Sequence, residues 1–148
     1  MLYRAPFPLL AQVPAELRDV IVDFHFDIER LHALDLPART VATTELAWHL
    51  DLPFWPAQGI PFKVTPSTVA AEPDVHQEQW QRTHAADLRY PLDVYLRRDG
   101  RIVILDGIHR LLKASLTGRT HMRVRVLAPE RFDAVAVHAL SSDDPAHQ

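Results

Sequence analysis

Apolar residues recur at intervals of three and four along the first part of the chain. This stripe predicts one long amphipathic helix that begins near Pro14 and ends at Asp35-Leu36-Pro37. Its members are Leu17, Val20, Ile21, Phe24, Ile28 and Leu31. A second, shorter helix is predicted from about Thr44 to Leu50, with Thr43 or Thr44 as its N-cap.

The middle of the chain contains signals for a strand and a further helix. Phe62 and Val64 predict a short strand that ends before the Thr-Pro pair that follows. Asp74 with Gln77 three residues later is typical of a capping box, which predicts a helix over residues 75–86.

The pattern of residues 92–105 predicts a β-hairpin. Residues 92–96 alternate between apolar and polar side chains, which indicates a half-buried strand with Asp93 exposed. Residues 102–105 form a continuous apolar run, as expected for a strand buried on both faces. Asp99-Gly100 between them is a tight-turn signal.

A helix and a final strand follow the hairpin. The helix is predicted over residues 108–117 with Gly118 as its C-cap, and the strand over residues 122–126. The tail, residues 141–148, is expected to be frayed. This order of elements predicts an α+β fold: a small mixed β-sheet with packed helices, and an N-terminal helical segment folded over one side.

The composition agrees with a globular protein. The chain has 148 residues, of which 47% are hydrophobic and 24% charged. Its net charge of -3 lacks the basic surplus of most nucleic-acid binders, so a nucleic-acid partner is not expected. The absence of cysteine excludes disulfides and thiolate chemistry. No segment reads as a signal peptide or membrane span, so we expect a cytoplasmic location and no membrane partner.

The turn between the apolar strand and the last helix carries the candidate chemistry. The first N–H groups of a helix have no partners inside it and carry a partial positive charge. Gly107 would let a ligand approach them closely. A cation in the first turn costs about 0.3–1 kcal/mol, and an anionic ligand would account for Arg110 there. The predicted phosphate-binding residues are Gly107, Ile108, His109, Arg110 and Lys113.

A purely structural interpretation of the same turn is also open. Asp106 would then be a helix cap, Arg110 the partner of a surface carboxylate, and His109 a hydrogen-bonded structural histidine.

The segment from Ile102 to Ala114, followed by Gly118 and a closing strand, resembles the core of the ParB/sulfiredoxin-like superfamily. Members share a strand, a glycine-containing turn with a His-Arg or Arg-Arg pair, a helix, a glycine and a strand. The resemblance covers roughly residues 61–127. It implies a domain over residues 61–140, onto which an N-terminal helical segment of residues 1–60 folds.

Members of this superfamily bind nucleotide phosphates at the turn, and the resemblance therefore implies a nucleotide ligand: ATP, ADP or CTP. Carried over by position, Gly107, His109 and Arg110 bind phosphate. Asp106 matches the acidic residue in the turn of a free serine kinase, Asp-Gly-His-His-Arg. Of the family turns considered, this sequence is the most similar to residues 106–110. Asp106 and the phosphates would hold Mg²⁺, and the acceptor would be a small molecule with a hydroxyl group.

The chain also departs from the family pattern. Sulfiredoxins have a reactive cysteine where this chain has Ile108, so sulfiredoxin chemistry is excluded. The chain is acidic overall and no helix-turn-helix extension is recognised, so a chromosome-partitioning ParB is not expected. Ile108 also replaces the first histidine of the kinase-like turn.

Several further residues are candidates for the site. Asp87, or alternatively Asp93, is predicted to act as a general base, beside the catalytic candidates Asp106 and His109. Tyr90, Phe54 and Trp55 are predicted to form the substrate pocket. These residues also have structural interpretations, as turn or core residues.

A separate metal site is not expected. The chain has nine histidines, and His25 and His32 could bind a metal from one face of the predicted helix. No third ligand is evident, however.

Two classes of function follow from these expectations. The first is a nucleotide-dependent phosphotransferase or nucleotide hydrolase. The second is a non-catalytic nucleotide- or anion-binding module that acts through a partner protein. A ParB-like nuclease or DNA binder is disfavoured by the low positive charge.

Overall fold

The computed structural model describes residues 2–140, and the predicted tail lies outside this range. Within it, the α-helices are α1 (Ile28–Ala33), α2 (Pro66–Ala71), α3 (Gln77–Ala85) and α4 (Ile108–Leu116). The strands are β1 (Leu2–Arg4), β2 (Ala38–Ala42), β3 (Trp55–Ala57), β4 (Ile60–Val64), β5 (Leu92–Leu96), β6 (Ile102–Asp106), β7 (His121–Val126) and β8 (His138–Leu140). Short 3-10 helices cover Leu10–Gln12, Ala15–Leu17, Thr43–Glu45, Ala47–Asp51 and Pro129–Ala134. The predicted α+β class is confirmed, and none of the described helices is long and apolar enough to cross a membrane.

The centre of the molecule is a four-stranded mixed sheet in the order β2-β7-β5-β6. Strand β5 pairs antiparallel with β6 and parallel with β7, and β2 pairs antiparallel with β7. The predicted hairpin, the helix after it and the closing strand are therefore confirmed. Two further two-stranded sheets pair β1 with β8 and β3 with β4.

Both faces of the central sheet are covered. Leu92, Val94 and Ile104 pack on one face against a core that includes Leu111 and Leu112 of α4. The opposite face, which includes Val103, packs against the N-terminal segment and the 3-10 helix over Pro129–Ala134. Contributors from those two segments include Leu17, Val20, Phe24, Leu31 and Phe132.

The long N-terminal helix predicted from the apolar stripe is wrong. Val20 lies in a turn, in which the Val20 and Ile21 N–H groups donate to the Leu17 carbonyl. Val22 and Phe24 are then buried while Asp23 between them is exposed, which is the alternation of an extended chain. Phe24 and Phe26 form isolated bridges with other parts of the chain. The short α1 begins only after Asp27, whose carboxylate accepts hydrogen bonds from the N–H groups of the first turn.

The N-terminal 60 residues do more than cover the core, because β2 is an edge strand of the central sheet. The second predicted helix is instead a pair of 3-10 helices, Thr43–Glu45 and Ala47–Asp51. Thr43 caps neither of them, and its buried hydroxyl has no hydrogen-bond partner among the described residues.

The connector between β4 and β5 contains two helices, where the sequence predicts one. Thr65 caps α2 by accepting a hydrogen bond from the Thr68 N–H, and Pro66 occupies the first helical position. The predicted capping box is not formed, because α3 begins only at Gln77 and no side chain caps it. The predicted strand at Phe62 and Val64 is confirmed as β4.

Candidate functional site

Two carboxylates and an arginine lie in a row across three neighbouring strands. Asp93 of β5 is opposite Asp106 of β6 on one side and opposite Arg125 of β7 on the other. Directly opposed residues in an antiparallel pair project from the same face of the sheet. The register therefore places both carboxylates side by side at the end of β6.

This register depends on a β-bulge. The hairpin pairs Val94 with Ile104, but the next pair is Asp93 with Asp106, which leaves Leu105 as an extra residue on β6. Without the bulge, Asp93 would be opposite Leu105. The bulge thus brings Asp106 into line with Asp93.

Asp93 is buried, with a relative accessibility of 3%, and its predicted exposure is wrong. The face of the sheet from which it projects is covered by the N-terminal segment rather than by solvent. Its Oδ1 accepts a hydrogen bond from Arg125 Nε at 2.7 Å, which compensates for the burial of the charge.

Arg125 also fixes the end of α1 beside the carboxylates. Its Nη2 donates to the Leu31 carbonyl at 2.8 Å, and its Nη1 donates to the Leu34 carbonyl at 3.0 Å. A cation at the C-terminus of a helix binds carbonyl groups that have no intrahelical partner. One guanidinium group therefore joins α1, β5 and β7.

His32 of α1 consequently lies over the two aspartates. Its Nε2 is 2.9 Å from Asp106 Oδ2 and 3.7 Å from Asp93 Oδ2. One ligand atom from each of these three residues lies within 4.8 Å of the other two. We call His32, Asp93 and Asp106 the His-Asp-Asp cluster.

Gly107 forms the turn between β6 and α4 in a conformation that L-residues rarely adopt. Its φ angle is 123°, and a Cβ atom there would lie 2.4 Å from Leu92 Cδ2. No side chain caps α4. Among residues 2–140, the backbone N–H groups of Ile108, His109 and Arg110 have no hydrogen-bond acceptor, so they are available to an anion.

Arg110 already has partners in the turn. Its Nη2 donates to Asp106 Oδ2 at 3.0 Å, and its Nη1 donates to the Pro91 carbonyl. Arg110 is thus paired with a carboxylate, as the structural interpretation predicts. The pair is not on the open surface, however, because the Arg110 side chain is only 16% exposed. The guanidinium retains further N–H groups for a ligand.

His109 is a neutral histidine at neutral pH. Burial, and to a smaller extent the nearby Arg82 guanidinium, lowers the pKa of His109 from 6.5 to about 4. Its ring stacks on Trp55 with centroids 4.3 Å apart, and Nε2 is 2.8 Å from Gln79 Oε1. When Nε2–H donates to that amide oxygen, Nδ1 carries the lone pair and can accept a proton.

These groups open onto one cavity of about 640 Å³, a size within the range of small-molecule sites. Six of the predicted site residues line it: Asp87, Tyr90, Asp106, Gly107, His109 and Arg110. His32, Arg82, Asp93 and Arg125 also line it. Arg82 is exposed, and within the described part of the chain it has no carboxylate partner.

Asp87 lines the cavity but is tied to Arg89. Hydrogen bonds from the Arg89 side chain and backbone lower the pKa of Asp87 from 3.8 to about 2. A carboxylate with so low a pKa is a weak base at neutral pH.

Four predicted residues lie outside the cavity lining. Lys113 Nζ donates to the carbonyls of His84 and Ala86, each at 2.7 Å, and so binds the C-terminal end of α3. Trp55 is buried behind His109, where it supports the ring. Ile108 and Phe54 contact the hydrophobic core.

Sequence reasoning did not place His32 and Arg125 in the site, and it named Asp93 only as an alternative to Asp87 as general base while expecting it to be exposed. The pairing of His32 with His25 as possible ligands is wrong, because His32 meets Asp93 and Asp106 instead. The only sequence signal was a charged residue within each of two apolar strands, Asp93 in β5 and Arg125 in β7. Such residues in a covered sheet are expected to pair.

The fold and the cavity together define an α+β protein in which a helix start without a side-chain cap lies beside a pair of carboxylates. Comparison of the chain with family models, with curated proteins and with solved structures gives no significant match. The resemblance to the ParB/sulfiredoxin-like superfamily therefore remains a hypothesis, which depends on the turn and on the order of elements around it.

Proposed function

We propose that this protein binds the phosphate groups of a nucleotide in the cavity at the start of α4, and that it is a nucleotide-dependent phosphotransferase or nucleotide hydrolase. This proposal depends mainly on one observation: His109 and Arg110, whose backbone N–H groups have no acceptor among the described residues, line the same cavity as the carboxylate of Asp106. Donors suit phosphate oxygens, and a carboxylate suits the divalent cation that accompanies them.

Gly107 and Arg110 hold the phosphate in this proposal, through backbone N–H groups and remaining guanidinium donors. Arg82, which has no carboxylate partner in the described range, adds a second cation. Phosphoryl transfer depends mainly on positioning and on stabilising the charge of the phosphoryl oxygens. The site contains groups suited to both tasks.

The Asp106 carboxylate is a hard oxygen ligand and fits Mg²⁺ brought in with the nucleotide. Such an ion would neutralise part of the negative charge of the phosphate groups. His109, neutral and with an acceptor nitrogen, is a better proton acceptor at neutral pH than Asp87, whose pKa is about 2. We therefore assign the acceptor hydroxyl or water to the side of the cavity near His109.

The second candidate function is a non-catalytic nucleotide-binding module. It is favoured by the way the carboxylates are already engaged: Asp87 with Arg89, and Asp106 with Arg110 and His32. A module of this kind needs the phosphate-binding groups but no proton acceptor.

Calorimetric titration with ATP, ADP, CTP and GTP plus Mg²⁺ tests binding, and ³¹P NMR with and without small hydroxyl acceptors tests turnover. Arg82→Ala is expected to weaken nucleotide binding about tenfold, because it removes a charged hydrogen bond to phosphate. Arg119→Ala, another exposed arginine, is the matched control and should bind normally. Binding without turnover would favour the module, and the absence of any binding would refute both functions.

A further inference from the structure

The geometry points to a divalent metal site formed by the protein itself, in which His32 Nε2, Asp93 Oδ2 and Asp106 Oδ2 bind one transition-metal ion without a nucleotide. This goes beyond the proposed function, in which Asp106 alone contacts an ion that the nucleotide brings. The inference concerns residues from α1, β5 and β6 that the sheet register and Arg125 bring together.

The distances fit a single ion. Ligand atoms about 2.1 Å from a common metal lie roughly 3 to 4 Å from one another. His32 Nε2 is 2.9 Å from Asp106 Oδ2 and 3.7 Å from Asp93 Oδ2. All three atoms lie within 4.8 Å of one another, so small side-chain rotations bring them to one ion.

Asp93 provides an independent indication of a ligand. Its side chain is only 4% exposed, and Oδ1 is bound by Arg125. Oδ2, by contrast, accepts no hydrogen bond from the described residues and faces His32 at 3.7 Å. Asp93 lines the cavity, so a cation in the cavity can reach this oxygen and compensate for the carboxylate charge in a largely buried side chain.

The residues around the cluster hold the ligands in place. Arg125 binds the other oxygen of Asp93 and the last carbonyls of α1, whereas Arg110 donates to Asp106 Oδ2, the oxygen assigned to the ion, which can bind the ion through its other lone pair. Partners of this kind orient metal ligands in known sites. Two carboxylates and one imidazole suit Mn²⁺, Fe²⁺ or Zn²⁺ better than Mg²⁺, because imidazole is a ligand of transition metals.

Binding changes one proton position. In the metal-free cluster the Nε2–H of His32 donates to Asp106. The ion takes the place of that proton on Nε2, and the proton moves through solvent to Nδ1, so the ring still carries one proton. Because Arg110 and Arg125 already balance the two carboxylates, the ion adds two positive charges, which an anion at the start of α4 would offset.

Titration of the metal-free protein with Mn²⁺, followed by electron paramagnetic resonance, tests the site directly. We expect one bound ion per chain, tighter binding when inorganic phosphate is added, and a ¹⁴N coupling that identifies the imidazole ligand. His32→Ala should weaken binding by about tenfold or more. Because the His32 side chain is 54% exposed, the substitution should leave the fold intact, and circular dichroism checks this.

His25→Ala is the matched control, since His25 is also an exposed histidine of the N-terminal segment but lies outside the cavity. It should bind Mn²⁺ like the wild type. Equal binding by His32→Ala, the absence of ¹⁴N coupling, or no bound ion at millimolar Mn²⁺ with phosphate would each overturn the metal site. None of these results affects nucleotide binding measured with Mg²⁺, so the two proposals fail separately.

Discussion

Gly107 is the residue on which the geometry of the turn depends most. Its φ angle of 123° is unfavourable for any side chain, and the space that a Cβ would need is filled by Leu92. Gly118 also has a positive φ, of 79°, but nothing lies within 4 Å of its Cβ position. Alanine at Gly118 would therefore introduce backbone strain alone, whereas alanine at Gly107 would introduce both backbone strain and a steric clash.

We expect Gly107→Ala to lower the free energy of unfolding by about 2–4 kcal/mol, from strain plus overpacking against Leu92. Gly118→Ala should cost only about 1 kcal/mol, from the backbone alone. Urea denaturation measures both. Equal losses at the two positions would contradict the close packing of the turn on β5.

His49 is a buried histidine with a fixed structural role. Its Nδ1–H donates to the Leu46 carbonyl at 2.8 Å, and its Nε2 accepts a hydrogen bond from the Ile104 N–H at 3.0 Å. The imidazole thus binds a backbone group on the free edge of β6. Burial lowers the pKa of His49 from 6.5 to about 4.

This lowered pKa predicts acid sensitivity. Between pH 6.5 and pH 4 the unfolded chain binds more protons than the folded one, so stability falls as the pH falls through this window. The loss attributable to His49 should approach about 3 kcal/mol at pH 4. His49→Gln should reduce the pH dependence of unfolding, whereas His25→Gln, at an exposed position, should leave it unchanged. An unaltered slope in His49→Gln would contradict the assignment.

At the scale of elements, Arg125 links α1 to the central sheet. It is the donor to the buried Asp93 and to the carbonyls of Leu31 and Leu34. Removing one partner of a buried ion pair leaves the other charge without compensation. The site and the attachment of α1 therefore share one side chain.

Arg125→Met is expected to lower the free energy of unfolding by about 3–5 kcal/mol. Combining it with Asp93→Asn should restore part of the loss, because the uncompensated charge is then removed. Arg123→Met, at an exposed position of the same strand, is the control and should change stability little. Chemical denaturation checks all three, and a loss no larger than that of the control would contradict the linking role.

The elements near the turn could be predicted because their signals are local. The alternation of 92–96, the Asp99-Gly100 turn and the apolar run of 102–105 specify a hairpin without reference to the rest of the chain. The helix predicted from the N-terminal stripe failed because Val20 lies in a turn and the following chain is extended, with Val22 and Phe24 buried on either side of the exposed Asp23. Tertiary pairing with distant segments decided between the two.

The cluster itself could not be predicted from sequence. A hairpin in regular register pairs Asp93 with Leu105, and only the bulge pairs it with Asp106. Asp93 was expected to be exposed because nothing in the sequence indicates that the N-terminal segment covers that face. His32 joins the site through α1, whose position depends on long-range bonds from Arg125.

At the scale of the whole molecule, the cavity lies where distant parts of the chain meet. The end of β6 supplies Asp106, the start of α4 supplies backbone N–H groups without acceptors among the described residues, and the end of α1 supplies His32. Helix α3 adds Arg82, and Lys113 holds its C-terminal end in place. We propose that phosphate binds where these segments meet, at the start of α4.

Backbone amide resonances of ¹⁵N-labelled protein, followed during titration with ATP and Mg²⁺, test this claim most directly. The account predicts that the largest shifts are those of Gly107, Ile108, His109 and Arg110, and that inorganic phosphate at higher concentration shifts the same amides. Shifts confined to other parts of the chain, or no shifts with ATP, ADP or CTP, would contradict it.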